Sequence, residues 1–168
     1  MGGTYYNTIA PGYEELHEKE QLKKLKLIAL YIKPEPSDKL LDVGCGTGIS
    51  TRFWKCNRSG IDPAQAAVRI AQKRDPYGNY MIASAENIPF PDKTFDIVIS
   101  ITAVHHFKNL KKGLSEIKRV ARGKIILSVF KKSARFNQIR DLIKEQFTIE
   151  KKLEEEKDII FLLSLNNP

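Results

Sequence analysis

Cysteine is scarce in this chain of 168 residues: Cys45 and Cys56 are all it has. Two thiols build no disulfide framework, and their spacing is not that of metal ligands. Histidine is nearly as rare, with His17 and the pair His105-His106, so no metal site is expected. Lone thiols fit a reducing compartment, and a cytoplasmic location is expected. Long apolar runs are missing as well. None approaches the roughly 20 residues that cross a bilayer, so no membrane association is expected. The first residues, Met1-Gly2-Gly3-Thr4-Tyr5-Tyr6, lack the basic-then-apolar pattern of a signal peptide. Met1-Gly2 opens a myristoylation signal, but Tyr6 stands where that signal needs Ser or Thr. Internal repeats and low-complexity linkers are absent, and the length suits one domain.

What is present is ordinary for a globular protein, with 42% apolar and 29% charged residues. The charge is unbalanced: 28 Lys and Arg face 20 Asp and Glu, a formal net charge of +8. A basic excess of this kind points to a polyanionic partner. The wealth of Lys, Glu and Ile also fits a heat-adapted source.

Short apolar runs alternate with helical periodicity. Leu22, Leu25, Ala29 and Ile32 predict a helix over 14–33 that Pro34 and Pro36 end. Lys39–Val43 reads as a buried strand, and a short helix is expected over 47–55 after the glycines. Gly60-Ile61-Asp62 closes a second strand, with Pro63 in the first turn of the next helix. Residues 80–83 form a third strand, and Phe95–Ser100 a fourth, apolar enough to be central. Leu110, Leu114, Ile117 and Val120 line a helix, 124–130 is a fifth strand, and Phe136, Ile139, Ile143 and Phe147 stripe another helix. A hairpin follows, 148–153 and 158–165 around a charged turn. The pattern predicts an α/β fold with a mostly parallel, doubly wound sheet that carries its ligand at the carboxyl ends of the strands.

The most informative stretch is Leu41-Asp42-Val43-Gly44-Cys45-Gly46-Thr47-Gly48, between a strand and a helix. Its spacing is not that of a dinucleotide binder, and it lacks the Lys-Ser/Thr of a phosphate loop. Asp42 would repel a pyrophosphate but suits an amine. Asp62 follows 20 residues later at a strand end, where a carboxylate accepts hydrogen bonds from ribose hydroxyls. Together they ask for a nucleoside with a cationic or zwitterionic tail.

These segments resemble the class I S-adenosylmethionine-dependent methyltransferases, close to the type 11 branch. Leu40–Gly48 is similar to the first motif of that family, Gly60-Ile61-Asp62-Pro63 to the second, Ala83–Phe90 to the third and Phe95–Ser100 to the fourth. The resemblance covers about residues 38–130. It implies a Rossmann-like, seven-stranded sheet with an antiparallel C-terminal hairpin. It also implies the cofactor S-adenosylmethionine and its product S-adenosylhomocysteine. One methyltransferase domain over 1–168 is expected: a cap arm and helix at 1–36, a cofactor-binding core at 37–130, and a helix with the hairpin at 131–168. By resemblance, Asp42, Gly44, Cys45 and Gly46 hold the methionine portion, and Asp62 with Pro63 the ribose. Ser84, Ala85 and Glu86 edge the adenine, Ser100 lies beside the cofactor, and Ile61 and Ile88 cover the adenine faces. Ser84 stands where the family often has Asp, and Arg122-Gly123-Lys124 is shorter than the usual turn before the fifth strand. The N-terminal Thr4–Ala10 matches a segment that folds over the cofactor, so Tyr5, Tyr6 or Tyr13 caps the site.

After the fourth strand, His105 or His106 is a candidate base near neutral pH, the alternative being a loop-orienting histidine. The stretch lacks the Asn/Asp-Pro-Pro-aromatic element of enzymes that methylate base amines. Between Lys108 and Arg135 ten basic residues face one acid, Glu116. Six of them, Lys108, Lys111, Lys112, Lys131, Lys132 and Arg135, follow strand ends and are expected to rim the substrate mouth. RNA, tRNA or rRNA, is therefore the expected acceptor, bound through its phosphates, with RNA modification as the role. Ile99–Phe107 with the Tyr-Asn-x-Ile-Ala start also resembles the tRNA wobble-uridine methyltransferase branch, which implies a small zinc-binding activator subunit as partner. A small-metabolite methyltransferase and a non-catalytic cofactor-binding subunit are the alternatives, and the oligomeric state stays open.

Overall fold

The structure is a computed structural model that describes residues 11–166. Thr4–Ala10, with Tyr5 and Tyr6 as expected cap residues, lie outside the described residues. Helix α1 (Pro11–Ile28) precedes β1 (Lys39–Val43), α2 (Ile49–Arg52), β2 (Asn57–Asp62), α3 (Gln65–Arg74), β3 (Asn79–Ile82) and β4 (Phe95–Ile101). A 3-10 turn at Val104–His106 leads to α4 (Leu110–Val120), β5 (Ala121–Phe130), α5 (Phe136–Gln146), β6 (Phe147–Glu154) and β7 (Asp158–Leu165).

The seven strands form one sheet in the order β3-β2-β1-β4-β5-β7-β6. β1 pairs in parallel with β2 and β4, and β5 continues the parallel set beside β4. β7 runs antiparallel between β5 and β6, so the expected terminal hairpin is present. The order reverses direction between β1 and β4, which places the crevice for a ligand at their carboxyl ends.

Alternating strand residues separate two cores. Leu41, Val43, Val98, Ile125, Leu127 and Phe161 meet α4 and α5 through Leu114, Ile117, Ile139 and Ile143. Leu40, Ile97, Ile99, Ile126 and Ile160 face the other way, onto Leu25 and Ile28 of α1 and onto Trp54. Burying one such aliphatic side chain contributes about 1.5–3 kcal/mol, so both faces must be covered, and the helices cover them.

Helix α1 ends at Ile28, earlier than its prolines imply. The chain tightens first: Leu30 N donates to Leu27 O and Tyr31 N to Ile28 O, three-residue closures that finish a helix. This turn still delivers Ile32 into the core. Helix α2 is a single turn, shorter than 47–55. Pro63 lies two residues before α3 rather than inside it. Phe147 is buried as expected, but as the first residue of β6. No turn separates α4 from β5, since Ala121 follows Val120 directly into the strand.

No helix joins β3 to β4. The loop is pinned by side chains of α4: Ile88 N donates to Glu116 Oε2 (2.9 Å), and the Arg119 guanidinium donates to Ile88 O, Phe90 O and Asp92 Oδ1 (2.9, 2.8 and 2.8 Å). The Arg119 guanidinium beside Glu116 holds that carboxyl below the usual range. Among the described residues no helix is long and apolar enough to cross a membrane.

Candidate active site

Past β1 the backbone turns through Gly44, Gly46 and Gly48, with φ of +78°, +53° and +83°. An L side chain is strained there. At Gly44 space forbids it too, because a Cβ would lie 2.5 Å from Ala103 Cβ. Gly44 N and Cys45 N both donate to Ile61 O (2.8 and 3.0 Å), so the loop is strapped to β2. Asp62 completes the strap: its Oδ2 accepts from Gly46 N and its Oδ1 from Ala64 N, each at 2.9 Å. One carboxylate thereby fixes the glycine loop and the entry to α3, and each oxygen keeps a lone pair for a ligand.

Asp42 sits beneath this loop and is fully buried. Its Oδ2 accepts from Ser50 Oγ (2.5 Å) and Thr51 Oγ1 (2.7 Å), while its Oδ1 has no partner. Burial pushes its carboxyl up to about 6, the two hydroxyls oppose this, and the charge of Asp62 adds to it. The Cys45 thiol is pushed far up by burial and by both aspartates, so it stays protonated.

The loop opens onto a cavity of about 1350 Å³ at the strand ends. Ligand pockets commonly measure roughly 300–1,000 Å³, so the space admits a cofactor-sized molecule and a second reactant. Of the residues singled out from sequence, the wall gathers Gly44, Cys45, Gly46, Asp62 and Pro63 with Ser84, Ala85 and Glu86 of the β3–β4 loop. It also includes His105, His106 and Lys108, and Tyr13 from α1. Glu86 Oε1 accepts from Asn109 N (2.9 Å), which ties the β3–β4 loop to the start of α4.

Other expected residues lie elsewhere. Asp42 is below the wall, not in it. Ser100 is buried and its hydroxyl donates to Val43 O (2.7 Å), so it braces β4 against β1. Ile61 and Ile88 are buried in the core and do not line the cavity. The expected six-cation rim reduces to Lys108. Lys111 and Lys112 turn to Glu145 and Glu116 (3.6 and 3.7 Å), and Lys131 to Glu154 (3.3 Å). Lys132 is exposed outside the cavity. Arg135 donates from Nη1 to His105 O and Phe107 O (3.1 and 2.5 Å) and so clamps the 3-10 turn. Nearby acids and carbonyls take up Lys111, Lys112, Lys131 and Arg135, which proximity to a strand end does not reveal.

Several wall residues were not read from the sequence. Glu14, His17 and Gln21 join Tyr13 from α1, while Lys73 and Arg74 come from α3 and Phe130 from the end of β5. The spacing 13, 17, 21 is one helical face, a signal hidden because that face is polar. Gln21 is nearly buried and its Oε1 has no partner. His105 packs on His106 and near Phe130, with ring centroids 4.0 and 6.1 Å away. Burial and His106 push its imidazole down to about 4, so at neutral pH it is uncharged and its Nδ1 has no partner. Such a ring accepts or donates a hydrogen bond but holds a captured proton weakly. Among the described residues no group of His, Cys, Asp or Glu is arranged to hold a metal.

The pattern of the methyltransferase domain family matches residues 41–127, just over half of the chain. The chain belongs to the class I S-adenosylmethionine-dependent methyltransferases. This methyltransferase is 34% identical over 96 residues to the malonyl-[acyl-carrier protein] O-methyltransferase of Serratia marcescens, covering 55% of the chain and 38% of that protein. It is 31% identical over 121 residues to the probable tRNA methyltransferase 9B of Homo sapiens, covering 70% of the chain and 25% of that protein. The methyltransferase thus spans well under half the length of these relatives. Among solved structures, the PH0226 protein of Pyrococcus horikoshii OT3 superposes with a TM-score of 0.78 at 20% identity, covering 97% of this chain and 99% of that one. A methyltransferase in complex with the Haloferax volcanii Trm112 activator gives 0.78 at 14% identity, covering 94% and 95%. Both share the fold. The family implies S-adenosylmethionine as cofactor, and the residues fit it. The glycine turn leaves the backbone bare, and the unpartnered Asp42 Oδ1 beneath it provides a negative charge for an amine.

Proposed function

We propose that this methyltransferase modifies RNA. The observation that carries the reading is positional: Lys73 of α3 and Lys108 of the loop before α4 both line the cavity of a chain with net charge +8. They offer contacts to phosphates on either side of a methylated nucleotide. The likeness to a tRNA methyltransferase supports the same reading.

In this scheme the Gly44–Gly46 backbone lies against the methionine portion of the cofactor, and the charge of Asp42 attracts its amine from below. Asp62 accepts from the ribose hydroxyls with its remaining lone pairs. Ser84, Ala85 and Glu86 edge the adenine. Ile70 and Ala83, which line the cavity, give the apolar cover that Ile61 and Ile88 do not. Bound S-adenosylmethionine supplies a methyl group already activated by its sulfonium sulfur. What remains for the protein is alignment of the acceptor and exclusion of water. Neutral His105 orients the acceptor by a hydrogen bond, and the exposed His106 beside it takes up the released proton. A small zinc-binding activator subunit is the proposed partner, in line with the Haloferax neighbour; adding such a subunit should raise turnover.

A second reading, a small apolar metabolite as acceptor, draws on the wall made by Ile101, Phe107 and Phe130. Transfer of tritiated methyl to total RNA, to metabolites and to protein extract, across a salt series, separates the readings. RNA labelling that falls steeply with salt supports the proposal. Labelling of metabolites alone, independent of salt, overturns it, and cofactor binding with no labelling of anything identifies a non-catalytic subunit.

A further inference from the structure

One ion pair in this fold lies where lysine is rarely found. Lys24, on α1, is 3% exposed, and Asp158, at the start of β7, is fully buried. Lys24 Nζ lies 3.2 Å from Asp158 Oδ2 and donates to Thr102 Oγ1 at 2.9 Å. The same Oδ2 accepts from Thr102 Oγ1 and from Ser128 Oγ, each at 2.7 Å. Thr102 N donates to Ser128 Oγ (2.9 Å) and Ser128 O (3.1 Å). Four elements meet here: α1, the end of β4, β5 and β7.

Two features mark the cluster as more than packing. Asp158 Oδ1 is buried with no partner, and a buried pair that is not fully satisfied is less stable than apolar residues of like volume. Thr102 has φ +53°, a conformation that strains a β-branched residue. Thr102 also lines the cavity, and the next residues, Ala103, His105 and His106, continue that wall. Strain, an orphaned carboxylate oxygen and a buried ammonium therefore converge on backbone that lines the cavity.

We propose that Lys24 and Asp158 are positioning residues: through Thr102 and Ser128 they hold the Thr102–His106 wall in its strained course, and they tie that wall to the helix that covers the cavity. Lys24 anchors α1 three residues after Gln21 and seven after His17, both on the wall. The wall therefore takes its shape only when α1 is seated. The Arg135 clamp on His105 O and Phe107 O holds the other end of the segment. Lys24, Asp158, Arg135 and His106 are the charged or titratable groups that act on His105 from α1, β7, the residue before α5 and its own turn.

The inference rests on the methyltransferase reading for its turnover arm alone; a second arm needs no acceptor. The test uses the full chain with Lys24→Met, Asp158→Leu, the double variant and Thr102→Gly. Each single change at the pair should lower the melting temperature, and the double variant should recover it, because no charge is left unpaired. In the double variant S-adenosylhomocysteine, titrated by calorimetry, should bind within about twofold of the wild type, since no residue of the glycine loop is touched. The imidazole of His105, followed by NMR, should titrate above its wild-type midpoint of about 4, toward the ordinary 6.5, as the wall relaxes into water. Turnover on whichever acceptor is labelled should fall at least about tenfold in kcat with the cofactor KM unchanged. A stable double variant with an unmoved His105 midpoint overturns the proposal. If the double variant does not fold, Thr102→Gly decides in its place, since it keeps Lys24 and Asp158 but removes the hydroxyl through which both act on the wall: a raised His105 midpoint supports the proposal and an unmoved one overturns it.

Discussion

Asp42→Asn should make the protein more stable and a poorer cofactor binder. The buried carboxyl has its midpoint near 6 against an ordinary 3.8. Below 3.8 both the folded and the unfolded chain keep the proton, and burial carries no charge penalty. As pH climbs from 3.8 to 6 the unfolded chain releases the proton and the folded chain does not, so stability falls by about 1.4 kcal/mol per pH unit. Above 6 the deficit levels off at about 3 kcal/mol. Asparagine removes that penalty. It keeps an oxygen for Ser50 and Thr51, whose opposing bonds are already contained in that midpoint. The net gain at pH 7.5 is therefore about 3 kcal/mol, or about 6–12 °C in melting temperature for a chain of this size. The measurement is a melting curve of both proteins at each pH from 4 to 8 without cofactor. The gain should be absent at pH 4 and full by pH 7. Titration of His105 is common to both proteins and cancels in the difference. Calorimetry with S-adenosylmethionine should show affinity rising through pH 6 in the wild type, as Asp42 ionises against the amine, and flat in the variant. A variant that melts lower at pH 7.5, or a difference that does not change with pH, refutes the reasoning.

Three further outcomes follow from the same geometry. Gly44→Ala must place a Cβ 2.5 Å from Ala103 at a φ of +78°; it should lose about 2–4 kcal/mol in urea unfolding, and adding Ala103→Gly should restore part of that, whereas full stability of the single variant would contradict the crowding. Asp62→Ala leaves Gly46 N and Ala64 N without acceptors; cofactor affinity measured by calorimetry should weaken by about 1–3 kcal/mol, and unchanged affinity would remove Asp62 from the ribose. Glu116→Ala leaves Ile88 N without its acceptor and Arg119 with Asp92 and the two loop carbonyls alone; a loss of about 1–3 kcal/mol in stability is expected, with faster amide exchange over 84–90, and exchange unchanged there would show that the loop is held by other means.

The sheet and the glycine turn were legible because their signals are local. A strand that ends in Asp42-Val43-Gly44 and an acid 20 residues on need no partner from afar to be read. Lys24 shows the opposite case. In sequence it belongs to a run of lysines on a surface helix, and its partner stands 134 positions later on β7. The basic mouth failed for a related reason. Strand ends fix where Lys111, Lys112, Lys131 and Arg135 begin but not where their long side chains go, and acids such as Glu145 and Glu154 decide that locally. Ser100, Ile61 and Ile88 were placed by resemblance at the ligand, but each occupies the inward side of its strand or loop, where Val43 or the core takes it up. His17 and Gln21 went unread because a polar helix face looks the same whether it meets solvent or a cavity.

The insertion of β7 between β5 and β6 has a bearing on how the chain assembles as it is made. A ribosome delivers β5 and β6 before β7 exists, yet the two never pair with each other. Until β7 emerges, β5 presents a bare edge, and Lys24 waits beside Thr102 without its counter-ion. Vectorial synthesis thus leaves the Thr102–His106 wall without its buried anchor until the last strand arrives.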